Sequence, residues 1–281
     1  MNALSLNIRG VCDPHKTEWM HRLRKEHRFA FCGFQETRVG NIPPEFYNWW
    51  DSQNIGRDHV AYEGLSGGLL CMWDKQLFQD IAVLKSRNCL IVVGYWKDIP
   101  GETIFANIYA PQSQADKRVL WNSLTNLMRS RPGNWIIFGD FNAVRRPEER
   151  INSVFCPYIA SDFNKFINEN GLLDINMGGR RLTYFSEVGC KLSKLDRFLV
   201  CPNFMTGFPS ATATALPREY SDHSPIILKT DYLDFGKPAF RFFNSWLYRD
   251  GFDDVVISAW NSFSGEGNDD RYFADKLRFV K

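Results

Sequence analysis

The chain has no apolar run approaching the roughly 18 residues that a membrane helix needs, and Met1 to Gly10 alternates apolar and polar types where a secretory leader would show a basic block followed by an apolar one. These absences argue against a spanning segment and against a cleavable signal. Cysteine is present but unpatterned: Cys12, Cys32, Cys71, Cys89, Cys156, Cys190 and Cys201 form neither a CxxC pair nor a Cys/His ladder. That excludes a zinc finger or ribbon, and an odd count does not close a disulfide framework. Buried thiols in a reducing compartment, nuclear or cytoplasmic, are the expectation. A dominant charge sign is also missing, since 34 Lys and Arg face 32 Asp and Glu for a net +2. A polyanion-binding surface would therefore have to come from local clustering. Internal repeats and low-complexity tracts are absent too, which excludes a solenoid or a wholly disordered chain. What is there, 281 residues that are 44% hydrophobic and 15% aromatic, suffices for a large core.

Alternation over Ala3 to Ile8 predicts a strand ending near Asn7, Arg9 and Gly10. Pro14 to Arg28 spaces Trp19, Met20 and Leu23 as one face of an amphipathic helix. Further strands are predicted at Phe29 to Phe34, Gly68 to Trp73, Cys89 to Trp96, Thr103 to Ala110 and Trp135 to Phe138, and later at Leu182 to Phe185, Leu195 to Val200, Ala211 to Leu216 and Ser224 to Thr230. Lys117 to Arg129 places Leu120, Leu124, Leu127 and Met128 on a helical face that Pro132-Gly133 terminates, and a second helix with Phe163, Phe166 and Ile167 is expected to start at a Ser161 cap and end at Gly171. Many strands interrupted by few long helices predict an α/β fold, a four-layered sandwich of two packed mixed sheets flanked by helices. Composition changes after about Thr230: Gly236-Lys237-Pro238 breaks the pattern, Phe240 to Tyr248 is strongly aromatic, and Gly265 to Asp270 reads as a flexible acidic loop. Residues 1–230 are thus expected to form one domain, with residues 231–281 an appendage or the start of a linker.

Polar clusters sit where these strands end: Gln35-Glu36-Thr37, Gly139-Asp140-Phe141-Asn142, Leu195-Asp196-Arg197 and Ser221-Asp222-His223. Buried charges without partners are costly, so their placement at the ends of apolar strands points to chemistry. Phosphoester hydrolysis needs an activated water, a cation or donors for the phosphoryl oxygens, and help for the leaving oxygen. Glu36 and Asp222 are candidate carboxylate ligands of a hard cation, with Asn7 as a neutral partner. His223 is a candidate proton carrier or phosphoryl-charge stabiliser, and Asp196 would orient its ring. Asp140 would orient or deprotonate water, with Asn142 and Tyr109 donating to the phosphate. Taken singly, each also suits a loop, a cap or an Asx turn.

As an ordered set, Asn7, Gln35-Glu36-Thr37, Asn107-Ile108-Tyr109-Ala110-Pro111, Gly139 to Asn142, Leu195-Asp196-Arg197 and Ser221-Asp222-His223 resemble the endonuclease/exonuclease/phosphatase superfamily from Asn7 to about Lys229. Within it, Asn7-Ile8-Arg9-Gly10, Ser66-Gly67-Gly68, Thr183-Tyr184 and Phe240 to Trp246 look most like the endonuclease domain of plant LINE-type non-LTR retrotransposons. That resemblance implies a DNA nickase whose product primes reverse transcription. Glu36 would be the main ligand of Mg2+, with Mn2+ as a substitute, and Asn7 and Asp222 would complete the metal site. His223, paired with Asp196, would act at the phosphate, and Asp140 would position the water beside Asn142 and Tyr109. Where apurinic-site enzymes of the superfamily carry an Asp two residues after the first Asn, this chain has Arg9, which argues against abasic-site repair.

DNA is the expected partner, contacted through Arg180, Arg181, Thr183 and Lys194, with Lys191 and the Arg145-Arg146 pair nearby. A monomer is expected, and a full element would add a reverse transcriptase domain. The sequence stops at Lys281 within an expected helix, which reads as a truncated copy or a fragment. Two other readings stay open: a phosphomonoesterase of the inositol or sphingolipid branch, and a catalytically silent binding module. Ala143-Val144 and the run Lys191 to Leu195 do not match the inositol-phosphatase pattern.

Overall fold

The computed structural model describes residues 1–50, 54–63, 66–230 and 244–280. The chain divides into two compact units, Met1–Tyr232 and Leu233–Lys281. Gly236-Lys237-Pro238 and the aromatic residues from Phe240 to Phe243 lie outside the described residues.

The first unit begins with β1 (Asn2–Asn7), α1 (Pro14–His27), β2 (Phe31–Gln35), β3 (Ile55–Glu63), β4 (Ser66–Asp74), β5 (Phe78–Ser86), β6 (Cys89–Trp96) and β7 (Thr103–Tyr109). It continues through α2 (Gln114–Ser130), β8 (Asn134–Asp140), β9 (Arg150–Ile151), α3 (Pro157–Glu169), β10 (Leu173–Asp174), β11 (Met177–Gly179), β12 (Tyr184–Ser186) and β13 (Lys191–Ser193). It closes with β14 (Asp196–Val200), α4 (Pro202–Gly207), β15 (Thr212–Ala215) and β16 (Ile226–Lys229). A 7-stranded sheet has the order β11-β15-β16-β1-β2-β4-β3, a 6-stranded sheet the order β10-β14-β8-β7-β6-β5, and a 3-stranded sheet the order β12-β13-β9. Both large sheets are mixed: β1 runs parallel to β2 and β7 parallel to β8, whereas β1 pairs antiparallel with β16 and β6 with β7.

Near-continuous apolar runs such as β6 and β8 are buried over almost their whole length, the pattern of strands covered on both faces. Between the two large sheets Phe31 of β2 stacks on Phe105 of β7 with ring centroids 3.8 Å apart, and Phe138 of β8 stands edge-on to Phe31. Truncating Phe31 to Ala there would cost about 3–5 kcal/mol. On the outer face of the 7-stranded sheet, Leu4, Leu6 and Phe34 pack against Trp19 and Met20 of α1 and against Trp49. Outside the 6-stranded sheet, Trp121 of α2 stacks on Phe166 of α3 at 5.0 Å and meets Phe141 and Phe163. Helix, sheet, sheet and helix thus form the four-layered sandwich expected from the sequence.

Three local departures have physical reasons. Strands β3 and β5 were not anticipated: β5 is a sheet edge with half its residues exposed, and β3 carries Arg57, Asp58 and His59 in sequence, so neither shows an apolar run. The expected Ser161 cap is overturned, because α3 starts one turn earlier at Pro157, after Cys156. Proline fits the first helical position, where its fixed φ is right and its missing N–H costs nothing. In the second unit, α5 (Phe252–Ser262) and α6 (Asp269–Val280) bury no residue fully and meet through Trp260 against Phe273, with Lys276 Nζ 4.5 Å over the Trp260 ring. Asp269 and Asp270 belong to the first turn of α6, where acidic side chains suit the helix dipole; they are not loop residues. Among the described residues no helix is long and apolar enough to cross a membrane.

Candidate active site

Strand register alone lines up the first part of the site. Tyr109 pairs with Asp140 across the parallel β7 and β8, and Asp140 pairs with Asp196 across the antiparallel β8 and β14. Directly opposed residues on neighbouring strands share a face, so these side chains stand in a row at one end of the 6-stranded sheet. Gly139 makes that possible: its φ is +131°, and a Cβ there would lie 2.0 Å from the Ile108 carbonyl oxygen.

The other sheet contributes Asn7 at the end of β1 and Glu36 just beyond β2, with Asn7 in register with Gln35. Below them a buried amide pair pins the sheets together. Asn107 Nδ2 donates to the carbonyls of Phe34 and Leu70 at 3.1 and 3.2 Å, and its Oδ1 accepts from Gln35 Nε2 at 2.6 Å. Above the pin, Asn7 Nδ2 donates to Glu36 Oε1 at 3.2 Å and to Asp140 Oδ2 at 3.0 Å, while the Tyr109 hydroxyl donates to Glu36 Oε1 at 2.8 Å. Unsatisfied buried polar groups are expensive, and this ladder pairs the amide donors across the sheet interface while leaving Gln35 Oε1 and Asn7 Oδ1 without a partner.

His223 closes the site from the segment before β16. Its Nδ1 is 2.9 Å from Asp196 Oδ2 and its Nε2 is 3.8 Å from Asp140 Oδ2. Ser221 Oγ donates to the Asn7 carbonyl at 2.7 Å and accepts from the His223 N–H at 3.1 Å, and the ring lies 4.9 Å from that of Tyr184. Burial opposes the imidazolium charge, but the Asp196 and Asp140 carboxylates outweigh it and raise the His223 pKa to about 9. Asp140 moves up to about 6, driven by burial and the nearby Asp196 charge against the pull of His223. The Asn142 N–H donates to Asp140 Oδ1 at 2.9 Å, and the Asn142 amide itself donates to the Ala110 carbonyl and accepts from Gln112. Asn142 therefore serves Asp140 through its backbone, with its side chain bracing the loop after β7.

Around Glu36 the charges form a second group. Arg38 Nη2 and Nε donate to Glu36 Oε2 at 2.6 and 3.1 Å, and Arg9 Nη2 lies 2.9 Å from Asp222 Oδ2. Burial works to raise the Glu36 pKa, but Arg38, Tyr109, Arg9 and Asn7 together hold it below the ordinary carboxylate value. Arg9, Glu36, Arg38 and Asn142 all have φ between 47° and 58°. Left-handed backbone at non-glycine residues is strained and clusters where function requires it. Asn7 Oδ1 and Asp222 Oδ1 are buried without a hydrogen-bond partner. Two orphaned hard oxygens beside the Glu36 carboxylate fit a Mg2+-like cation. Asp140, Asp196 and His223 also bring one ligand atom each within 4.8 Å of one another. With its pKa near 9, His223 there carries a proton, so a metal would first have to displace it.

The structure brings Asn7, Glu36, Tyr109, Asp140, Asn142, Asp196, Asp222 and His223 together and splits the expected DNA contacts. Arg180 and Arg181 are exposed. Thr183 is 0% exposed and its hydroxyl accepts from the Leu195 and Asp196 N–H groups, so its expected contact with DNA is corrected to a strand-holding role. Lys194, with 15% of its side chain exposed, lies 3.8 Å from Asp174 Oδ1 and belongs to an internal ion cluster. Arg145 does as well, bonded to Asp174 and Asn164. Sequence reading named Ser221, Gln35 and Asn107 within its motifs without giving them a role, and missed Arg38 and Arg218. Arg218 lies over the Phe185 ring at 5.2 Å, close enough to feel the charges of Arg180 and Asp222, with a buried Nη1 that lacks a partner.

Comparison with known proteins agrees with this architecture. The family model described as Endonuclease/Exonuclease/phosphatase family matches residues 4–223. Among solved structures, a 3′ phosphatase from Neisseria bound to product DNA hairpin has a TM-score of 0.65 at 13% identity, covering 83% of this chain and 100% of that one. An AP endonuclease from Archaeoglobus fulgidus scores 0.62 at 15% identity, with 82% and 98% covered. A mannosyl-6-phosphatase from Bacteroides thetaiotaomicron scores 0.55 at 14% identity, again with 82% and 98% covered. At these identities the likeness is one of fold. No curated protein matches the chain.

Proposed function

Because the chain belongs to the endonuclease/exonuclease/phosphatase family, whose members are hydrolases, we propose that it is a Mg2+-dependent DNA endonuclease, a nickase of a LINE-type retrotransposon. The observation that carries the hydrolytic part is the row Tyr109, Asp140 and Asp196 with His223 clasped at its end, facing Glu36 across the sheet interface. The element-specific part is supported by Asn7 to Gly10 and Thr183-Tyr184 in the sequence. Solved neighbours that include a DNA-bound 3′ phosphatase and an AP endonuclease favour DNA as the substrate class. The protein acts as a monomer in the nucleus or cytoplasm, with a reverse transcriptase domain supplied by a full-length element. Residues 231–281 are an appendage or the first part of the linker toward that domain.

Glu36, Asp222 and Asn7 would hold the divalent ion, Mg2+ or Mn2+. When bound it supplies Lewis-acid polarisation and charge neutralisation at the phosphoryl oxygens. Asp140 accepts the proton of the attacking water. Its plane is fixed by the Asn142 N–H on one oxygen and the Asn7 amide on the other, and its raised pKa makes it a better base than an ordinary carboxylate. His223 presents a protonated Nε2 to a phosphoryl oxygen while Asp196 fixes its ring orientation and stabilises its charge through Nδ1. Arg180 and Arg181 contact the DNA backbone, and Arg218 lies close enough to Arg180 and Asp222 to feel both charges.

Supercoiled plasmid incubated with Mg2+ tests the reading. Wild-type protein is expected to relax it, chelator to abolish the reaction, and Glu36→Ala or His223→Ala to slow it by roughly 10³-fold or more. Turnover of soluble phosphomonoesters with no plasmid nicking would assign the site to the phosphatase side of the family. Wild-type inertness with DNA binding retained would make it a silent binding module.

A further inference from the structure

A side chain of the protein itself stands between Glu36 and Asp222. Arg9 Nη1 lies 3.4 Å from both Glu36 oxygens, while Nη2 lies 2.9 Å from Asp222 Oδ2. The guanidinium therefore bridges the two carboxylates assigned to the metal. The turn beneath it is built to keep it there. Arg9 and Gly10 both take left-handed φ, 53° and 94°, and the Gly10 N–H donates to the Glu36 carbonyl at 2.7 Å. Buried Lys16 spends its ammonium on three consecutive carbonyls, those of Ile8, Arg9 and Gly10, at 2.7, 3.0 and 3.0 Å. An ammonium committed to one turn fixes the direction in which Arg9 leaves it.

We propose that Arg9 is a tethered counter-ion that competes with the divalent ion for Glu36 and Asp222, and so sets how tightly the site holds its metal. The proposal rests on the reading of Glu36, Asp222 and Asn7 as the metal position. An arginine stays charged throughout the working pH range, so in the metal-free protein it keeps two carboxylates paired. When metal enters, the same charge opposes it. Arg38 provides the natural contrast: among the described residues its side chain bonds Glu36 and not Asp222. A merely structural ion pair would lose stability on mutation without any gain in metal affinity. A competitor must show both changes, with opposite sign.

The test is Mn2+ titration of the full chain, with free Mn2+ read by electron paramagnetic resonance, and melting temperature in chelator as the second readout. Arg9→Gln is expected to bind Mn2+ about tenfold more tightly than wild type and to melt lower in chelator. Arg9→Lys, which keeps the charge, should stay close to wild type, and Arg38→Gln should tighten binding less than Arg9→Gln. Adding Glu36→Gln to Arg9→Gln should remove the gain. Equal or weaker Mn2+ binding by Arg9→Gln, against measurable wild-type binding that Glu36→Gln weakens, would overturn the proposal and leave the metal reading standing. Wild-type Mn2+ binding insensitive to Glu36→Gln, or no binding by wild type and Arg9→Gln alike, would overturn the metal reading and the proposal with it.

Discussion

Asp196 and Arg197 are neighbours on β14, both buried, yet they serve opposite ends. Strand alternation sends Asp196 toward His223 and the site, and Arg197 to the other face, where it meets Asp174, Glu149 and the ring of Phe163 in α3. On the Arg197 side, Arg145, Lys194 and Arg197 surround only Glu149 and Asp174. On the Asp196 side, Glu36, Asp140, Asp196 and Asp222 outnumber Arg9, Arg38 and His223. The first group has one positive charge to spare, and its one carboxylate oxygen without a hydrogen bond, Asp174 Oδ1, lies 3.8 Å from Lys194 Nζ; the second has one negative charge to spare, with the orphaned oxygens of Asn7 and Asp222 beside it. Buried charge by itself does not mark a functional site. The sign of the imbalance does.

Variants at this pair break the comparison most sharply. Asp196→Asn should slow plasmid nicking by about 10³-fold through loss of the charge that holds the imidazolium, and its cost in denaturant midpoint should disappear above about pH 9, where His223 is neutral in the wild type as well. Arg197→Met should do the reverse, leaving nicking nearly unchanged and lowering stability by about 1–3 kcal/mol, because Glu149 and Asp174 lose their bonds to the buried guanidinium while Arg145 and Lys194 still face Asp174. Equal loss of stability in the two at pH 9 and above would erase the distinction.

Proton linkage sharpens it further. His223 titrates near 9 in the fold against about 6.5 in the unfolded chain, so its stabilising contribution is complete below pH 6.5 and fades as pH rises to about 9. Asp140, raised to about 6, favours its neutral form in the fold and subtracts stability as pH rises from about 3.8 to 6. Melting temperature in chelator should therefore decline between pH 6.5 and 9, and His223→Gln should flatten that decline. Cleavage requires Asp140 ionised and His223 protonated, so the pH–rate profile should be a bell with limbs near 6 and 9. The smallest effect belongs to the surface: Arg180→Ala or Arg181→Ala should reduce the log–log salt slope of DNA binding by about 1 for each lost phosphate contact, with the catalytic rate nearly unchanged.

The chain of residues from Asn7 to His223 was legible in the sequence because each sits where an apolar run stops, and strand ends are where sequence patterns change most abruptly. Register then did what no local pattern predicts, setting Tyr109, Asp140 and Asp196 side by side. The misassigned contacts share one cause. Thr183 and Lys194 look like surface loop residues by type and neighbourhood, but exposure depends on which strands cover them. Left-handed φ at Glu36 and Arg38 has no signature in residue type, so Arg38 was invisible as a partner of Glu36. Edge strands β3 and β5 escaped because half-exposed strands carry charge where a core strand carries Val or Ile.

The row across β7, β8 and β14 also bears on how relatives of this chain can diverge in length. Deleting or inserting one residue inside any of these strands would turn its terminal side chain to the opposite face of the sheet and take it out of the row. Indels compatible with hydrolysis are therefore confined to the connecting loops, and an alignment that opens a gap within Thr103–Tyr109, Asn134–Asp140 or Asp196–Val200 describes a protein that has lost its chemistry.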